Sequence, residues 1–193
     1  MTFSHMLFDL DNTIYPQDSG LWEAIGDRIS RYMTERLGYR PDEVRERRDQ
    51  YHRSFGTTLN ALRHYYGISA DDFLAFVHDI PLEEYIHPAP DLDCTLARIP
   101  LRKIIFTNAD AAHAERVLNR IGIGHHFERI IDILTLDFIN KPDVRSYRRV
   151  MELLRTEPRE CIFVEDSMTN LLPARELGNA ITERALQFFL RIA

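Results

Sequence analysis

Two aspartates near the amino terminus are the first residues whose spacing can do chemistry. They lie at the end of the apolar run in Met6-Leu7-Phe8-Asp9-Leu10-Asp11-Asn12-Thr13. Because strand side chains alternate between faces, acids at the carboxyl end of a buried strand can share one crevice. Two acids placed together repel each other unless a cation or a proton compensates them. On its own, the pattern is explained equally well by a strand followed by an Asx-rich turn that has no catalytic role.

Polar residues also follow later apolar runs, where further strands are predicted to end. Thr107-Asn108 follow Arg102–Phe106, and Glu165-Asp166 follow Cys161–Val164. In a parallel sheet these positions share one edge with the first pair of aspartates. The candidate set at this edge is Asp9, Asp11, Thr13, Thr107, Asn108, Lys141, Glu165 and Asp166.

This set contains the groups that phosphoryl transfer requires. Carboxylates from the first and fourth strands can hold a hard cation, and Mg²⁺ is the common choice beside a phosphate. One carboxylate can attack phosphorus to form an aspartyl-phosphate, and a second, two residues on, can protonate the leaving oxygen and then activate water. The Thr107 hydroxyl and backbone amides near a helix amino terminus can bind phosphate oxygens. Lys141 can neutralise the negative charge.

The elements that must position these residues alternate between strand and helix. Strands are predicted at 4–10, 102–106, 130–133 and 161–164, with helical spacing between the later ones. This alternation indicates an α/β fold with a doubly wound parallel sheet. The long segment between the first two strands has only helical spacing. We therefore predict an α/β core formed by residues 1–15 and 91–193, with residues 16–90 as an inserted helical cap.

Composition excludes several classes of partner. The net charge of −6 argues against binding to a nucleic-acid polymer, which favours a basic surface. No apolar run approaches the roughly 18–20 residues that span a bilayer, and the amino terminus lacks a secretory pattern. We therefore expect no membrane association. Cys94 and Cys161 form no CxxC pair, so we also expect a reducing, cytoplasmic setting. His125-His126 and the other histidines lack zinc-ligand spacing such as HExxH, and we interpret them as surface or core-edge residues.

Four segments, in order, resemble the motifs of the haloacid dehalogenase superfamily. They are Phe8–Thr13, Phe106–Asn108, Lys141-Pro142 and Phe163–Ser167. One such motif is weak, whereas four in the family's order are specific. The resemblance implies a core of the same α/β type with a cap between the first two motifs, where it closes over the active site and selects the substrate.

The same resemblance implies a role for each site residue. Asp9 is expected to be the nucleophile and Asp11 the general acid/base. Mg²⁺ is expected to bind the Asp9 side chain, the Asp11 backbone carbonyl and Asp166. Glu165 stands at a position where many members have aspartate. It is therefore expected to bind the metal directly, to bind it through water, or to support the metal ligands without binding the metal. Phosphate is expected to bind Thr107, Asn108 and Lys141. Because haloacid dehalogenases themselves lack the second aspartate and need no metal, Asp11 favours phosphoryl transfer.

Further segments resemble the pyrimidine 5′-nucleotidase branch, including part of the predicted cap. They are Asp11–Pro16, Gly20–Trp22, Tyr51 through Leu59, Val77–Pro81 and Phe106–Asp110. This resemblance implies a small phosphorylated substrate, a nucleoside monophosphate such as UMP or CMP. The candidate substrate contacts are Tyr15, Tyr51, Phe55, Thr57 and Thr58. For each aromatic residue the alternative is packing within the cap.

Two other functions stay open at this point. One is a phosphatase for sugar phosphates or phosphoglycolate. The other is a catalytically impaired binding protein with an altered carboxyl end. After Gly178 the superfamily continues into a short edge strand, but here apolar residues recur at helical spacing. They are Ile181, Ala185, Leu186, Phe188, Phe189 and Ile192. Without a strand, one edge of the sheet would be left unpaired.

Overall fold

The computed structural model describes residues 2–183, which fall into two compact units. Gly20–Tyr85 forms one, which we call the insert unit, and the segments on either side form the other, the core unit. Both boundaries lie a few residues inside the predicted 16–90 insertion. None of the helices in residues 2–183 is long and apolar enough to cross a membrane.

The core unit contains one sheet of five parallel strands. They are β1 (His5–Phe8), β2 (Arg102–Phe106), β3 (Phe127–Ile131), β4 (Cys161–Glu165) and β5 (Ala180–Glu183). Their spatial order is β3-β2-β1-β4-β5. Because β1 lies between β2 and β4, the residues that follow these three strands emerge side by side. The predicted α/β fold with a parallel sheet is confirmed.

Helices occupy most of the chain between the strands. They are α1 (Leu21–Leu37), α2 (Val44–Phe55), α3 (Thr58–Tyr66), α4 (Ala70–Val77), α5 (Pro90–Ala97), α6 (Ala111–Ile121), α7 (Val144–Leu154) and α8 (Met168–Glu176). The second helix is preceded by a turn. Pro41 lies in a turn before Val44, and the Glu43 amide donates to the Arg40 carbonyl in that turn.

The core lies against the central strands because their side chains are apolar on both faces. Leu7, Ile104 and Phe163 belong to a buried cluster with residues of α7 and α8, such as Tyr147 and Leu171. The alternating side chains on the same strands, including Met6, Phe8 and Ile105, are equally buried. A parallel sheet buried on both faces gives continuous apolar runs, which explains why β1, β2 and β4 were predictable.

The edge strand β5 corrects the expectation for the carboxyl end. Ala180–Glu183 pair in parallel with β4, and Ile181 packs against the core cluster. The helical spacing was therefore a wrong guide at Ile181, where tertiary contacts outweigh the local pattern. The remaining residues of that pattern, from Ala185 to Ile192, lie outside the described residues. Within the described chain the edge of β4 is paired, which removes one reason for an impaired fold.

The insert unit consists of α1 to α4 and buries one face of each helix. The buried side chains include Leu21, Ile25 and Met33 of α1, Leu59 and Leu62 of α3, and Phe73, Leu74 and Val77 of α4. Gly38, Gly56 and Gly67 end the first three helices in left-handed conformations, which glycine adopts at low cost. Helices joined by short turns make up the unit, and no strand lies among its described residues.

Candidate active site

A buried lysine joins two carboxylates at the carboxyl ends of β1 and β4. Lys141 Nζ lies 2.6 Å from Asp9 Oδ1 and 2.8 Å from Glu165 Oε2. Lys141 and Glu165 are each 1% exposed, and Asp9 is 7% exposed. The ammonium group also lies 5.0 Å and 5.4 Å from the ring centroids of Phe106 and Phe163, within cation–π range. The lysine therefore sits between the ends of the three central strands.

The charges of this triad depend on one another. Burial and the nearby Glu165 raise the pKa of Asp9 to about 7, while Lys141 acts in the opposite direction. Burial raises the pKa of Glu165, again opposed by Lys141. Burial alone would lower the pKa of Lys141, but the two carboxylates outweigh it and raise that pKa above its usual value. The positive charge of Lys141 stabilises the two buried carboxylates beside it.

Asn108 and Thr13 hold Lys141 and Asp9 in position. Asn108 Nδ2 donates to the Lys141 carbonyl at 3.0 Å, and the Lys141 amide donates to Asn108 Oδ1 at 2.9 Å. Thr13 donates to Asp9 Oδ2 at 3.2 Å. Thr107 Oγ1 accepts from the Ala109 amide at 3.0 Å, and its proton can be donated to a phosphate oxygen. Asn108, which we predicted as a phosphate ligand, braces the lysine in this structure.

Asp11 lies in a different environment from Asp9. Its Oδ1 accepts a hydrogen bond from Tyr15 OH at 2.7 Å, and His113 Nε2 lies 3.2 Å from the same oxygen. Tyr15 and His113 are almost completely buried. Burial and the Asp11 carboxylate raise the pKa of Tyr15, so the phenol remains a donor. Tyr15, which we predicted as a substrate contact, is a hydrogen-bond partner of Asp11 in this structure.

His113 and Gln17 contact the site and were not among the predicted residues. Gln17 Nε2 donates to Asp166 Oδ2 at 3.0 Å. His113 lies four residues before Val117 and eight before Ile121, so it shares the buried face of α6. That spacing predicts a buried side chain. The contact of His113 with Asp11 could not be predicted, because the two residues lie 102 positions apart.

Three acids at this edge of the sheet are close enough to share a metal ion. Asp9, Glu165 and Asp166 each offer a carboxylate oxygen, and these atoms lie within 4.8 Å of one another. Three carboxylates and one ammonium group leave a net negative charge, and oxygen-only donors suit Mg²⁺. Glu165 also accepts from Lys141 and, at 3.3 Å, from the Ser167 amide. The residues present therefore fit a hard divalent cation.

The predicted substrate contacts in the insert unit have partners within that unit. Tyr51 is buried, with its hydroxyl 2.5 Å from that of Tyr39 and its ring stacked on Tyr65. Thr57 is the N-cap of α3 and accepts from the Asn60 amide at 3.1 Å. Thr58 is buried, and Phe55 packs against His64 and Tyr65. Each of these contacts stabilises the unit without a substrate.

The Thr57 contact gives a direct prediction. Thr57→Ala is expected to lower the free energy of unfolding by about 1 kcal/mol, because an N-cap hydrogen bond is lost. Urea denaturation measures the change, and Thr57→Ser should retain most of the stability because it keeps the hydroxyl. A Thr57→Ala protein with unchanged stability and a raised KM would instead identify Thr57 as a substrate contact.

A family model decides what kind of protein carries this site. The model of the haloacid dehalogenase-like hydrolase family matches residues 3–178, which include all of the acids described above. The chain belongs to this family. The superfamily expected from the four motifs is therefore confirmed for this haloacid dehalogenase-like hydrolase.

Individual relatives of this haloacid dehalogenase-like hydrolase are distant. It is 25% identical over 191 residues to Phosphate metabolism protein 8 of Saccharomyces cerevisiae, covering 89% of this chain and 58% of the relative, which is thus considerably longer. A HAD phosphatase from Thermococcus onnurineus has a similar fold, with a TM-score of 0.60, 20% identity and coverage of 94% of this chain and 86% of that one. A mutant HAD family enzyme from Bacteroides thetaiotaomicron, in complex with magnesium and inorganic phosphate, gives a TM-score of 0.54 at 17% identity, with coverage of 94% and 93%.

Proposed function

We propose that this hydrolase is a Mg²⁺-dependent phosphatase that acts on a small phosphomonoester through an aspartyl-phosphate intermediate. The proposal depends chiefly on the different surroundings of the two aspartates. Asp9 is paired with Lys141, whereas Asp11 is held by Tyr15 and His113. Two carboxyl groups in distinct environments are suited to different tasks. We assign nucleophilic attack to Asp9 and proton transfer to Asp11.

In the first step an Asp9 carboxylate oxygen attacks phosphorus. The bond between phosphorus and the leaving oxygen breaks, and protonated Asp11 gives that oxygen its proton. The charged Lys141 favours the ionised form of Asp9 that attacks, and Thr13 donates a hydrogen bond to its carboxylate. We assign Thr107 as a hydrogen-bond donor to the phosphoryl group.

In the second step Asp11 acts as a base. It takes a proton from water as that water attacks phosphorus, and the bond between phosphorus and Asp9 breaks. Phosphate leaves, and Asp11 is protonated again for the next cycle. Tyr15 and His113 both contact Oδ1 of this carboxyl group. The two contacts keep the carboxyl group from rotating between the steps.

We assign the metal to Asp9, Asp166 and the Asp11 backbone carbonyl, with Glu165 supporting Lys141. When bound, Mg²⁺ supplies positive charge that balances the phosphate oxygens and helps to orient them. Three observations support the assignment: the oxygen-only donor set, the net negative charge, and the magnesium and phosphate bound to the structural relative from Bacteroides thetaiotaomicron.

For the substrate we propose a pyrimidine nucleoside 5′-monophosphate, with the insert unit acting as the cap that selects it. The support is the resemblance of several segments, including Tyr51 through Leu59, to the pyrimidine nucleotidase branch. Cys94 and Cys161 are both free thiols, which supports a reducing compartment such as the cytoplasm.

The test is a phosphate-release screen with and without Mg²⁺. The panel contains UMP, CMP, purine nucleotides, sugar phosphates and phosphoglycolate. We expect Mg²⁺-dependent turnover with the highest kcat/KM for UMP or CMP. A preference for sugar phosphates would overturn the substrate assignment and leave the chemistry. Absence of turnover in a folded, metal-loaded protein would favour a binding function.

Tyr15→Phe tests the positioning of Asp11. Phenylalanine keeps the buried ring but removes the hydrogen bond, so we expect kcat to fall about tenfold with little change in KM. The pH profile of kcat should also shift, because the hydrogen bond stabilises ionised Asp11. Tyr32→Phe, which removes a similar bond to Asp72 in the insert unit, is the matched control and should retain activity. An unchanged kcat and pH profile in Tyr15→Phe would contradict the role.

A further inference from the structure

Outside the catalytic site, two histidines and an aspartate converge on one point of the core unit. Asp93 lies on α5, and His125 and His126 lie immediately before β3. His125 Nε2 is 3.1 Å and His126 Nε2 is 2.7 Å from the same atom, Asp93 Oδ1. The three ligand atoms all lie within 4.8 Å of one another. Because more than thirty positions separate Asp93 from the histidines, sequence spacing did not reveal the cluster.

This cluster lies at the amino-terminal ends of the strands, whereas the catalytic residues lie at their carboxyl ends. His126 directly precedes Phe127, the first residue of β3, whereas Asp9 and Glu165-Asp166 stand at the carboxyl ends of their strands. All five strands run parallel. An ion held by the histidines would therefore be separate from the ion that we assign to the acids of the active site.

The donor set is one that zinc uses in proteins. Two imidazole nitrogens and a carboxylate oxygen suit Zn²⁺, whereas the oxygen-only set at the active site suits Mg²⁺. Ligands bound to zinc at about 2.0–2.2 Å in tetrahedral geometry lie about 3.3–3.6 Å from one another. The 3.1 Å distance from Asp93 Oδ1 to His125 is shorter than this range by about 0.2–0.5 Å, and the 2.7 Å distance to His126 by about 0.6–0.9 Å. Rotation of the partly exposed Asp93 and the exposed His125 would widen the cluster to admit the ion.

The backbone that carries the two histidines is already fixed. Ile123 is fully buried, and its amide donates to the Leu118 carbonyl at the end of α6. The His126 amide in turn donates to the Ile123 carbonyl at 3.1 Å. A preorganised turn lowers the entropic cost of bringing two ligands together.

The position of His125 favours a metal site over a simple hydrogen bond between Asp93 and His126. His126 is 10% exposed and, at 2.7 Å from Asp93, is enough to tie this turn to α5. His125 is 64% exposed, yet its Nε2 is directed to the same oxygen. Holding an exposed side chain in one rotamer costs entropy, and a shared cation would offset that cost. We propose that Asp93, His125 and His126 form a zinc site, with water completing the coordination.

The test is calorimetric titration of the full chain with Zn²⁺ in the presence of saturating Mg²⁺. We expect one equivalent of Zn²⁺ to bind, and His125→Asn to weaken that binding by at least about tenfold, since one of three protein ligands is lost. His125→Asn keeps the His126 contact with Asp93, so its thermal stability without zinc should match wild type. Asp93→Asn should also weaken binding.

The matched control is His64→Asn, which removes an exposed histidine of the insert unit and should leave Zn²⁺ binding unchanged. Repeating the titration with Asp166→Asn tests whether Zn²⁺ enters the catalytic site. Absence of Zn²⁺ binding to wild type, or equal binding to wild type and His125→Asn, would overturn the proposal. So would loss of the equivalent in Asp166→Asn. None of these readouts depends on phosphatase activity.

Discussion

Asp9→Asn is expected to reduce phosphate release by at least about 1,000-fold, because an amide cannot form the acyl-phosphate that the carboxylate forms. The substitution preserves the volume of the side chain. Lys141 keeps Glu165 as a partner at 2.8 Å, so the fold should survive. The measurement is kcat for the best substrate of the screen at saturating Mg²⁺, with circular dichroism as the check on folding.

A matched control removes a carboxylate far from this chemistry. Asp42 in the insert unit is exposed and pairs with Arg40, so Asp42→Asn should retain wild-type activity. Its retention would show that loss of a negative charge alone is harmless. A kcat of Asp9→Asn within tenfold of wild type would contradict the assignment of the nucleophile.

Lys141→Met is expected to lower the free energy of unfolding by about 3–5 kcal/mol and to abolish activity. The lysine is the partner of two buried carboxylates, and removing it leaves them uncompensated in a place of low dielectric. Methionine has a similar length, so the loss reflects charge more than a cavity. Urea denaturation gives the change in stability, and phosphate release gives the change in activity.

The carboxylates themselves supply the control for this prediction. Adding Glu165→Gln to Lys141→Met removes one of the stranded charges and should recover part of the stability but none of the activity. Lys103→Met is the matched single variant, because Lys103 is buried but donates to the carbonyls of Ile99 and Leu101. It should cost less than Lys141→Met. Equal losses in the two variants would contradict the importance of the carboxylate pairing.

The central strands and the residues that follow them were predictable for one physical reason. A parallel strand buried on both faces is a continuous apolar run, and its carboxyl end is marked where polar residues begin. Asp9, Thr107 and Glu165 could therefore be placed at one edge of the sheet from the amino-acid sequence alone. The order of the motifs then identified the family, which the match over residues 3–178 confirms.

Other features depend on contacts that no local pattern carries. His113 meets Asp11 across 102 positions, and Tyr15 reaches the same oxygen because of how one loop closes. The strand β5 forms although Ile181 begins an apolar pattern with helical spacing, because pairing with β4 and packing of Ile181 outweigh propensity. The contacts of His125 and His126 with Asp93 were likewise not predicted, because the sequence gives both histidines the pattern of ordinary surface residues.

The central claim is that Asp9 carries the phosphoryl group during turnover. The direct measurement is rapid acid quench of the Mg²⁺-loaded protein with substrate, followed by peptide mass spectrometry. Asp11→Asn is included because loss of the proposed base is expected to slow hydrolysis of the intermediate. We predict one phosphoryl group on the peptide that contains Asp9, and none in Asp9→Asn. A phosphoryl group on another residue, or phosphate release from Asp9→Asn at the wild-type rate, would contradict the claim.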